Sequence, residues 1–187
     1  MKQWSIIIIL IILVIASFIY FNLPKLKLSN QLPIKETKNN MKIESPAFKN
    51  DATIPVKYTC GGQNINPAFN FSDVPEGTES LALIMDDPDA PSGTFVHWVL
   101  WNINPQTKEI SENSKPPEAV AGATSRGKSG YVGPCPPSGT HHYFFKLYAL
   151  DIILNLSSQA DKTALEKAME GHILDKAELI SLYSRQN

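Results

Sequence analysis

Proline is the residue type that most limits how this chain can fold. The sequence of 187 residues contains 14 prolines and 10 glycines. Because proline fixes the backbone φ angle and has no N–H, it interrupts helices and favours turns. We therefore expect many fixed turns and little long helix. With 43% hydrophobic residues, the chain has enough apolar material for one ordinary domain with its own core.

Three apolar segments have the composition of β-strands. They are residues 80–85, a short apolar run, and Phe95–Ile103 and residues 141–151, which are rich in β-branched or aromatic side chains. The weaker candidates are residues 53–58, 69–71 and 177–183. The last of these also fits a helix, and we predict a strand.

One segment has a clear helical pattern. Asp161 can cap the N-terminus, an apolar stripe follows over Leu165, Ala168 and Met169, and Gly171 can end the helix. We predict a helix over residues 161–170. The expected fold class is mostly antiparallel β with one or two peripheral helices.

The N-terminus is the most apolar part of the sequence. No charged residue lies between Gln3 and Pro24, and residues 6–15 are almost entirely Ile, Leu and Val. A run of about 20 apolar residues is long enough to cross a bilayer. We therefore include an N-terminal transmembrane helix in the predicted fold class. The alternative is a cleaved signal peptide.

Three regions follow from this division: a transmembrane anchor or signal over residues 1–24, a polar linker over 25–40, and a folded domain over 41–187. The linker is rich in Lys and Asn and contains proline.

Two signals for the membrane orientation disagree. Lysines after the apolar run outnumber Lys2, which favours a folded domain on the cytoplasmic side. A short tail before such a run, by contrast, is typical of an export signal. We predict a membrane-anchored domain on the extracytoplasmic side, in the periplasm or at the cell surface.

Two features of the sequence bear on partners and compartment. The net charge is −1, which argues against nucleic-acid binding because nucleic-acid binders present a basic face. The two cysteines, Cys60 and Cys135, can pair in an oxidising compartment. Two free thiols are the alternative.

Residues 122–129 match the phosphate-loop pattern G-x-x-x-x-G-K-[ST]. That chemistry needs a helix directly after the loop, so that the helix N-terminus holds a phosphate. The residues that follow here are G-Y-V-G-P-C-P-P, which cannot form a helix. We predict that the match is accidental and that the protein does not hydrolyse nucleotides.

Histidines on two predicted strands are the candidate site residues. By alternation along a strand, His97 shares a face with Phe95, Val99 and Trp101, and His141 shares one with Tyr143, Phe145 and Leu147. The loop before the His97 strand supplies Asp87 and Asp89. Prolines and glycines over residues 133–139 can hold backbone N–H groups at fixed angles, which suits an anion. A histidine on an apolar strand face is more often a satisfied core residue, so the functional interpretation depends on the two segments meeting.

Other site chemistries have weaker support. His97, His141 and an aspartate include enough ligands for a metal ion, but their spacing is not diagnostic, and we predict no metal and no cofactor. A G-x-S-x-G nucleophile elbow is absent from the sequence, which argues against serine-hydrolase chemistry.

Two segments resemble the two signature regions of the phosphatidylethanolamine-binding protein family. They are D-P-D-A-P-S-G-T-F-V-H-W-V-L-W-N-I at residues 87–103 and G-Y-V-G-P-C-P-P-S-G-T-H-H-Y-F-F-K-L-Y-A-L-D at residues 130–151. The sequence is most similar to the bacterial, Raf-kinase-inhibitor-like branch. The resemblance implies a large antiparallel, Greek-key-like sheet, a smaller sheet, peripheral helices and a small surface pocket for anions. It assigns ligand binding to Asp87, His97, Tyr131, Gly133, Cys135, Pro136, His141 and Tyr143.

This sequence departs from the family pattern at two positions. His142 stands where the family commonly has Arg, so a salt bridge is expected to be missing. Thr124 stands where relatives often have Asn, which leaves the conformation of residues 122–130 open. The family also often has prolyl cis peptides in the pocket wall, which makes Ala90-Pro91 a candidate.

We predict a membrane-tethered, non-catalytic domain that binds phosphate or a phospholipid head group in a His/Asp/Tyr pocket. One alternative is an inhibitor module that binds a protein partner, since relatives include kinase and protease inhibitors. The other is a weak hydrolase with a histidine as general base and Asp87 as its orienting group. Cys135 is the only evident nucleophile for such a hydrolase.

Overall fold

The computed structural model describes residues 41–185, and it shows nine β-strands, one α-helix and a short 3-10 helix within that range. The strands are β1 (Lys42–Glu44), β2 (Ala52–Thr53), β3 (Phe69–Ser72), β4 (Ser80–Asp87), β5 (Phe95–Ile103), β6 (Glu109–Ile110), β7 (Val120–Ala121), β8 (Thr140–Leu150) and β9 (Ile173–Ser184). The helix is α1 (Lys162–Met169), and the 3-10 helix is Val56–Tyr58.

The strands form two sheets. The larger sheet has six strands in the order β2-β9-β8-β4-β5-β7, and the smaller has three in the order β1-β3-β6. All neighbouring strands run antiparallel except β2 and β9, which are parallel. These findings confirm the predicted combination of a large sheet, a smaller sheet and a peripheral helix.

The larger sheet is covered on both faces. One face packs against the smaller sheet in a core that contains Phe69, Phe145 and Leu83. The other face packs against α1 through residues such as Ile84 and Leu165. Because successive residues of a strand point to opposite faces, β4 sends side chains into both cores, and all eight of its residues are buried.

The predicted elements agree with the observed ones in most places. Asp161 caps α1 by accepting a hydrogen bond from the Ala164 N–H, and Gly171 follows the helix with a φ of 79°. Residues 177–183 belong to a strand, as predicted, within the longer β9. The exception is residues 53–58, where the strand ends at Thr53 and the 3-10 helix follows Pro55, because proline cannot donate a ladder hydrogen bond.

The transmembrane helix included in the predicted fold class has to be corrected. Within residues 41–185, no helix is long and apolar enough to span a membrane. The helix α1 has eight residues, a length of about 12 Å. The regions predicted for 1–24 and 25–40 lie outside the described residues. The corrected fold class, for residues 41–185, is two β-sheets with one α-helix.

The segment that matches the phosphate-loop pattern forms a tight turn. Ala123 and Ser129 pair as an antiparallel bridge, and the chain then continues without a helix as far as β8. The geometry that would place a phosphate on a helix N-terminus is therefore missing from residues 122–140.

Candidate functional site

Three neighbouring strands bring the predicted site residues to one end of the larger sheet. β4 lies between β8 and β5, and it ends at Asp87 where the two antiparallel neighbours begin. The rings of His97 and His141 both lie near the ring of Tyr143, with centroids 5.2 and 6.5 Å from the tyrosine ring. The two signature segments therefore meet in space.

A β-bulge sets the direction of His97. Met85 pairs with Trp98 and the next residue of β4, Asp86, pairs with Val96, which leaves His97 as the extra residue of β5. A bulge of this kind changes the direction of a side chain. The predicted shared face with Val99 and Trp101 is wrong, because those two residues pack towards α1, whereas His97 contacts Tyr143 of the core between the sheets.

A cavity of about 180 Å³, called the histidine cavity below, lies at this end of the sheet. Six of the predicted residues line it: Asp87, His97, Gly133, Cys135, Pro136 and His141. The lining also includes residues 90–93, Phe95, Arg126, Val132 and Pro137. A larger groove of about 580 Å³ runs along β1 and β9, but its lining contains none of the predicted site residues.

His97 is held by a backbone carbonyl. Its Nδ1 lies 2.6 Å from the Val132 oxygen, and the Val132 N–H donates to the His97 carbonyl at 2.9 Å. A carbonyl can only accept, so Nδ1 carries the hydrogen and Nε2 has the lone pair in the neutral ring. Burial lowers the pKa of His97 below its ordinary value, against the raising effects of the Val132 hydrogen bond and of Asp87. The ring is therefore neutral at neutral pH.

His141 is held by a carboxylate. Its Nδ1 lies 2.8 Å from Asp87 Oδ2, and both side chains are buried. Asp87 also accepts a hydrogen bond from the Asp89 N–H at 2.9 Å through Oδ1. Asp87 thus orients His141, and the Nε2 of His141 remains for a ligand, as it does in His97.

The two predicted tyrosines occupy different places. Tyr143 is fully buried, and its hydroxyl has no partner of good hydrogen-bond geometry among the described residues. Burial, reinforced by nearby Asp87, holds the pKa of Tyr143 well above its usual range, so the hydroxyl stays protonated. Tyr131 does not line the cavity. Its ring packs against Trp98 and its hydroxyl donates to the Tyr58 carbonyl at 2.9 Å.

A second piece of chain supports the cavity wall from behind. The wall segment is residues 131–137, and the backing segment is residues 58–64. The Gly133 N–H donates to Asn64 Oδ1 at 2.7 Å, and the Cys60 N–H donates to the Pro134 carbonyl at 3.1 Å. A disulfide joins Cys60 to Cys135, which resolves the two alternatives for the cysteines.

Two amides of the wall segment already have partners within the protein. The Val132 N–H is used by the His97 carbonyl and the Gly133 N–H by Asn64. Residues 134, 136 and 137 are prolines without an N–H. The prolines therefore stiffen the wall but contribute no N–H donors to it.

The two departures from the family pattern have structural substitutes. His142 makes a pair of its own with Asp89, with its Nδ1 2.7 Å and its N–H 2.8 Å from Asp89 Oδ2, so a salt-bridge position is occupied here. The hydrogen bond from the His142 side chain lowers the pKa of Asp89. Thr124 closes a turn by donating to the Lys128 carbonyl at 2.8 Å. Residues 41–185 contain no cis peptide bond, so Ala90-Pro91 is trans.

Arg126 is the charged lining residue that the sequence prediction missed. It lies outside both signature segments, and in the sequence it belonged only to the accidental phosphate-loop match. The available signal was its position in a polar turn just before the second signature segment.

No group of three His, Cys, Asp or Glu side chains in the described part of the chain is arranged to hold a metal ion.

Comparison with known proteins agrees with this geometry. The chain is 46% identical over 159 residues to the UPF0098 protein PH1269 of Pyrococcus horikoshii, covering 81% of this chain and 80% of that protein. It is 48% identical over 150 residues to a UPF0098 protein of Methanothermobacter thermautotrophicus, covering 78% of this chain and 99% of that protein.

Two crystal structures share the fold. CT736 of Chlamydia trachomatis, a phosphatidylethanolamine-binding protein homolog, has a TM-score of 0.76 and 40% identity, and the match covers 79% of this chain and 99% of CT736. Escherichia coli YbcL, described as a member of the mammalian family, has a TM-score of 0.74 and 28% identity, with coverage of 78% and 99%. The family model for phosphatidylethanolamine-binding proteins matches residues 44–184. The chain belongs to the phosphatidylethanolamine-binding protein family.

Proposed function

We propose that the histidine cavity binds a small oxyanion, either phosphate or the phosphoryl head group of a phospholipid, without catalysing its reaction. The observation that carries this proposal is the anchoring of two imidazoles from distant segments, His97 by Val132 and His141 by Asp87. The family is named for a phospholipid with such a head group. The cavity volume of about 180 Å³ is below the roughly 300–1,000 Å³ of pockets for drug-sized ligands.

The anchored rings couple binding to a proton. Each Nδ1 faces an acceptor, so each neutral ring offers a lone pair at Nε2. An oxygen of a fully ionised oxyanion is repelled by a lone pair. The oxyanion therefore binds either with a proton on one of its own oxygens or with an imidazole that becomes protonated.

The lining favours binding over hydrolysis. Cys135, the only nucleophile that the sequence offered for a hydrolase, is in a disulfide. Ser92 also lines the cavity, but within residues 41–185 neither His97 nor His141 hydrogen-bonds to a serine or threonine hydroxyl. A histidine that activates a nucleophile needs such a contact or one bridging water.

Titration with inorganic phosphate tests the proposal directly. We expect millimolar phosphate to shift the imidazole NMR signals of His97 and His141 and to leave those of His172 unchanged. His172 is a matched control because it also pairs with an aspartate, Asp151, at 2.8 Å, but it directly precedes β9, and Asp151 follows the far end of β8. Unchanged signals of His97 and His141 would reject phosphate binding in this cavity.

Variants extend the same test. We expect His97→Gln and His141→Gln each to weaken phosphate binding by at least about tenfold, and His172→Gln to leave it unchanged. Thermal unfolding of each variant checks that it is folded.

Titrations with phosphoethanolamine and with phosphatidylethanolamine vesicles separate the two ligand sources. If the ligand is a lipid, its head group should bind at least as tightly as free phosphate.

The affinity for phosphate should rise as the pH falls from about 8 to about 6. The free protein has a lowered His97 pKa, and a bound anion raises that pKa, so the complex holds more protons than the free protein. Because binding is tighter at low pH, phosphate should raise Tm more at about pH 6 than at about pH 8.

The lowered pKa also affects the stability of the free protein. His97 supports folding at high pH, and this support is lost as the pH falls through the folded-state pKa of His97.

Sulfate is the control for this pH dependence. It keeps its charge over that range, whereas phosphate and phosphomonoesters titrate near pH 6–7. If imidazole protonation contributes, the affinity for sulfate also rises as the pH falls. An affinity that is flat with pH for both anions would contradict the proton coupling.

A further inference from the structure

An oxyanion in the histidine cavity faces a lining that is short of positive charge. Asp87 is a carboxylate, His97 is buried with its lone pair available, and the amides of Val132 and Gly133 already have partners. Among the described residues that line the cavity, only Arg126 has a permanent positive charge. Without it, a phosphate would meet Asp87 with no fixed countercharge.

The Arg126 guanidinium is available to a ligand. It is exposed to solvent, and it makes no hydrogen bond or ion pair with another residue of the 41–185 segment. Its charge reaches the His97 imidazole, because it contributes to lowering the pKa of His97. An unpaired guanidinium at the edge of a cavity that contains two histidines is placed to contact an anion that enters it.

The turn that carries Arg126 is fixed to the strand of His97. The Ser125 N–H donates to the Val96 carbonyl at 3.0 Å, and the Val96 N–H donates to Ser125 Oγ at 2.8 Å. These two bonds join the turn to the residue directly before His97. The position of the Arg126 backbone relative to the histidine is therefore set by the contacts of Ser125 with Val96.

Thr124 closes the same turn. Its hydroxyl donates to the Lys128 carbonyl at 2.8 Å and accepts from the Arg126 N–H at 3.3 Å. The Gly127 N–H donates to the Thr124 carbonyl at 2.8 Å. The Thr124 side chain is thus a positioning group for the backbone of Arg126.

We propose that Arg126 is the principal anion-binding residue of the histidine cavity, that it selects planar or tetrahedral oxyanions, and that Thr124 positions it. This inference rests on the proposed function. A guanidinium offers parallel N–H donors that match two oxygens of a phosphate or carboxylate, whereas a halide offers a single acceptor. Phosphate should therefore displace chloride from the cavity.

Calorimetric titration of the full-length protein with inorganic phosphate tests this proposal. We expect Arg126→Gln to weaken phosphate binding by at least about tenfold. The phosphate affinity of Arg126→Lys should lie between those of Arg126→Gln and the wild type. Lys128→Gln is the matched control, since Lys128 is an exposed cation on the same turn and does not line the cavity. It should change Kd by less than about twofold. Thr124→Val should weaken binding, although it leaves every charge in place.

Salt dependence provides a readout that a purely structural role would not change. The wild-type Kd should rise with the chloride concentration, and this dependence should be much weaker in Arg126→Gln. Wild-type affinity in Arg126→Gln, or equal losses in the Arg126 and Lys128 variants, would overturn the assignment and leave the proposed function intact. Absence of phosphate binding by the wild type, together with unshifted signals of His97 and His141, would overturn both.

Discussion

Removing the Cys60–Cys135 disulfide should lower the free energy of unfolding by about 4 kcal/mol. The bond joins residues 75 positions apart, and a cross-link over that distance strongly restricts the unfolded chain in the chain-entropy model. The double variant Cys60→Ser/Cys135→Ser should show this loss in denaturant unfolding. Phosphate binding should also weaken, because Cys135 lines the histidine cavity and the bond ties the wall segment to the backing segment.

A reducing agent provides the control for the same prediction. Reductant should destabilise the wild type by a similar amount and leave the double serine variant unaffected. The binding part of the prediction is measured on protein that is still folded, at a temperature well below Tm. A double variant that keeps both its stability and its phosphate affinity would mean that the hydrogen bonds from Cys60 and Gly133 hold the wall segment without the disulfide.

The strands at the site could be predicted because local composition and local structure agree. β5 and β8 are rich in β-branched and aromatic residues, and their observed bounds lie within one residue of the predicted ones. Residues 53–58 have a similar apolar content, but Pro55 ends the pairing and the chain turns into a 3-10 helix. Composition alone did not indicate where the ladder would stop.

The meeting of His97 and His141 was predicted, although strict alternation does not explain it. Val99 and Trp101 face α1, whereas Tyr143 faces the smaller sheet, so regular strands would place the two histidines on opposite faces. The bulge at His97 removes this conflict. A bulge depends on the register between two strands, which a single sequence does not reveal.

The contacts behind the wall segment depend on tertiary structure. Asn64 accepts from the Gly133 N–H across 69 positions of sequence, and Tyr131 donates to the Tyr58 carbonyl across 73. The resemblance placed Tyr131 and the Gly133 region at the ligand, and it did not reveal that the backing segment takes up their polar groups. For the same reason the Gly133 N–H, expected to be free for an anion, is already used by Asn64.

Gly133→Ala is the single substitution expected to damage the site most. A Cβ at this position would lie 2.5 Å from the Tyr58 carbonyl oxygen and 2.7 Å from Asn64 Oδ1. Both atoms belong to the backing segment, so the wall segment has to move towards the cavity. We expect a loss of about 3 kcal/mol in the free energy of unfolding and at least about a tenfold loss of phosphate affinity, measured by denaturant unfolding and calorimetry.

Gly61→Ala is the matched control, because Gly61 belongs to the backing segment but has room for a methyl group. Its nearest contact would be the Tyr183 hydroxyl at 3.3 Å, the end of a side chain that can move slightly. We expect it to change the free energy of unfolding by less than about 1 kcal/mol and to leave phosphate affinity unchanged. If Gly133→Ala behaves like Gly61→Ala, the wall can move away from the backing segment without altering the cavity. The rigidity of residues 131–137 would then not be what positions the Val132 carbonyl, and through it the His97 ring.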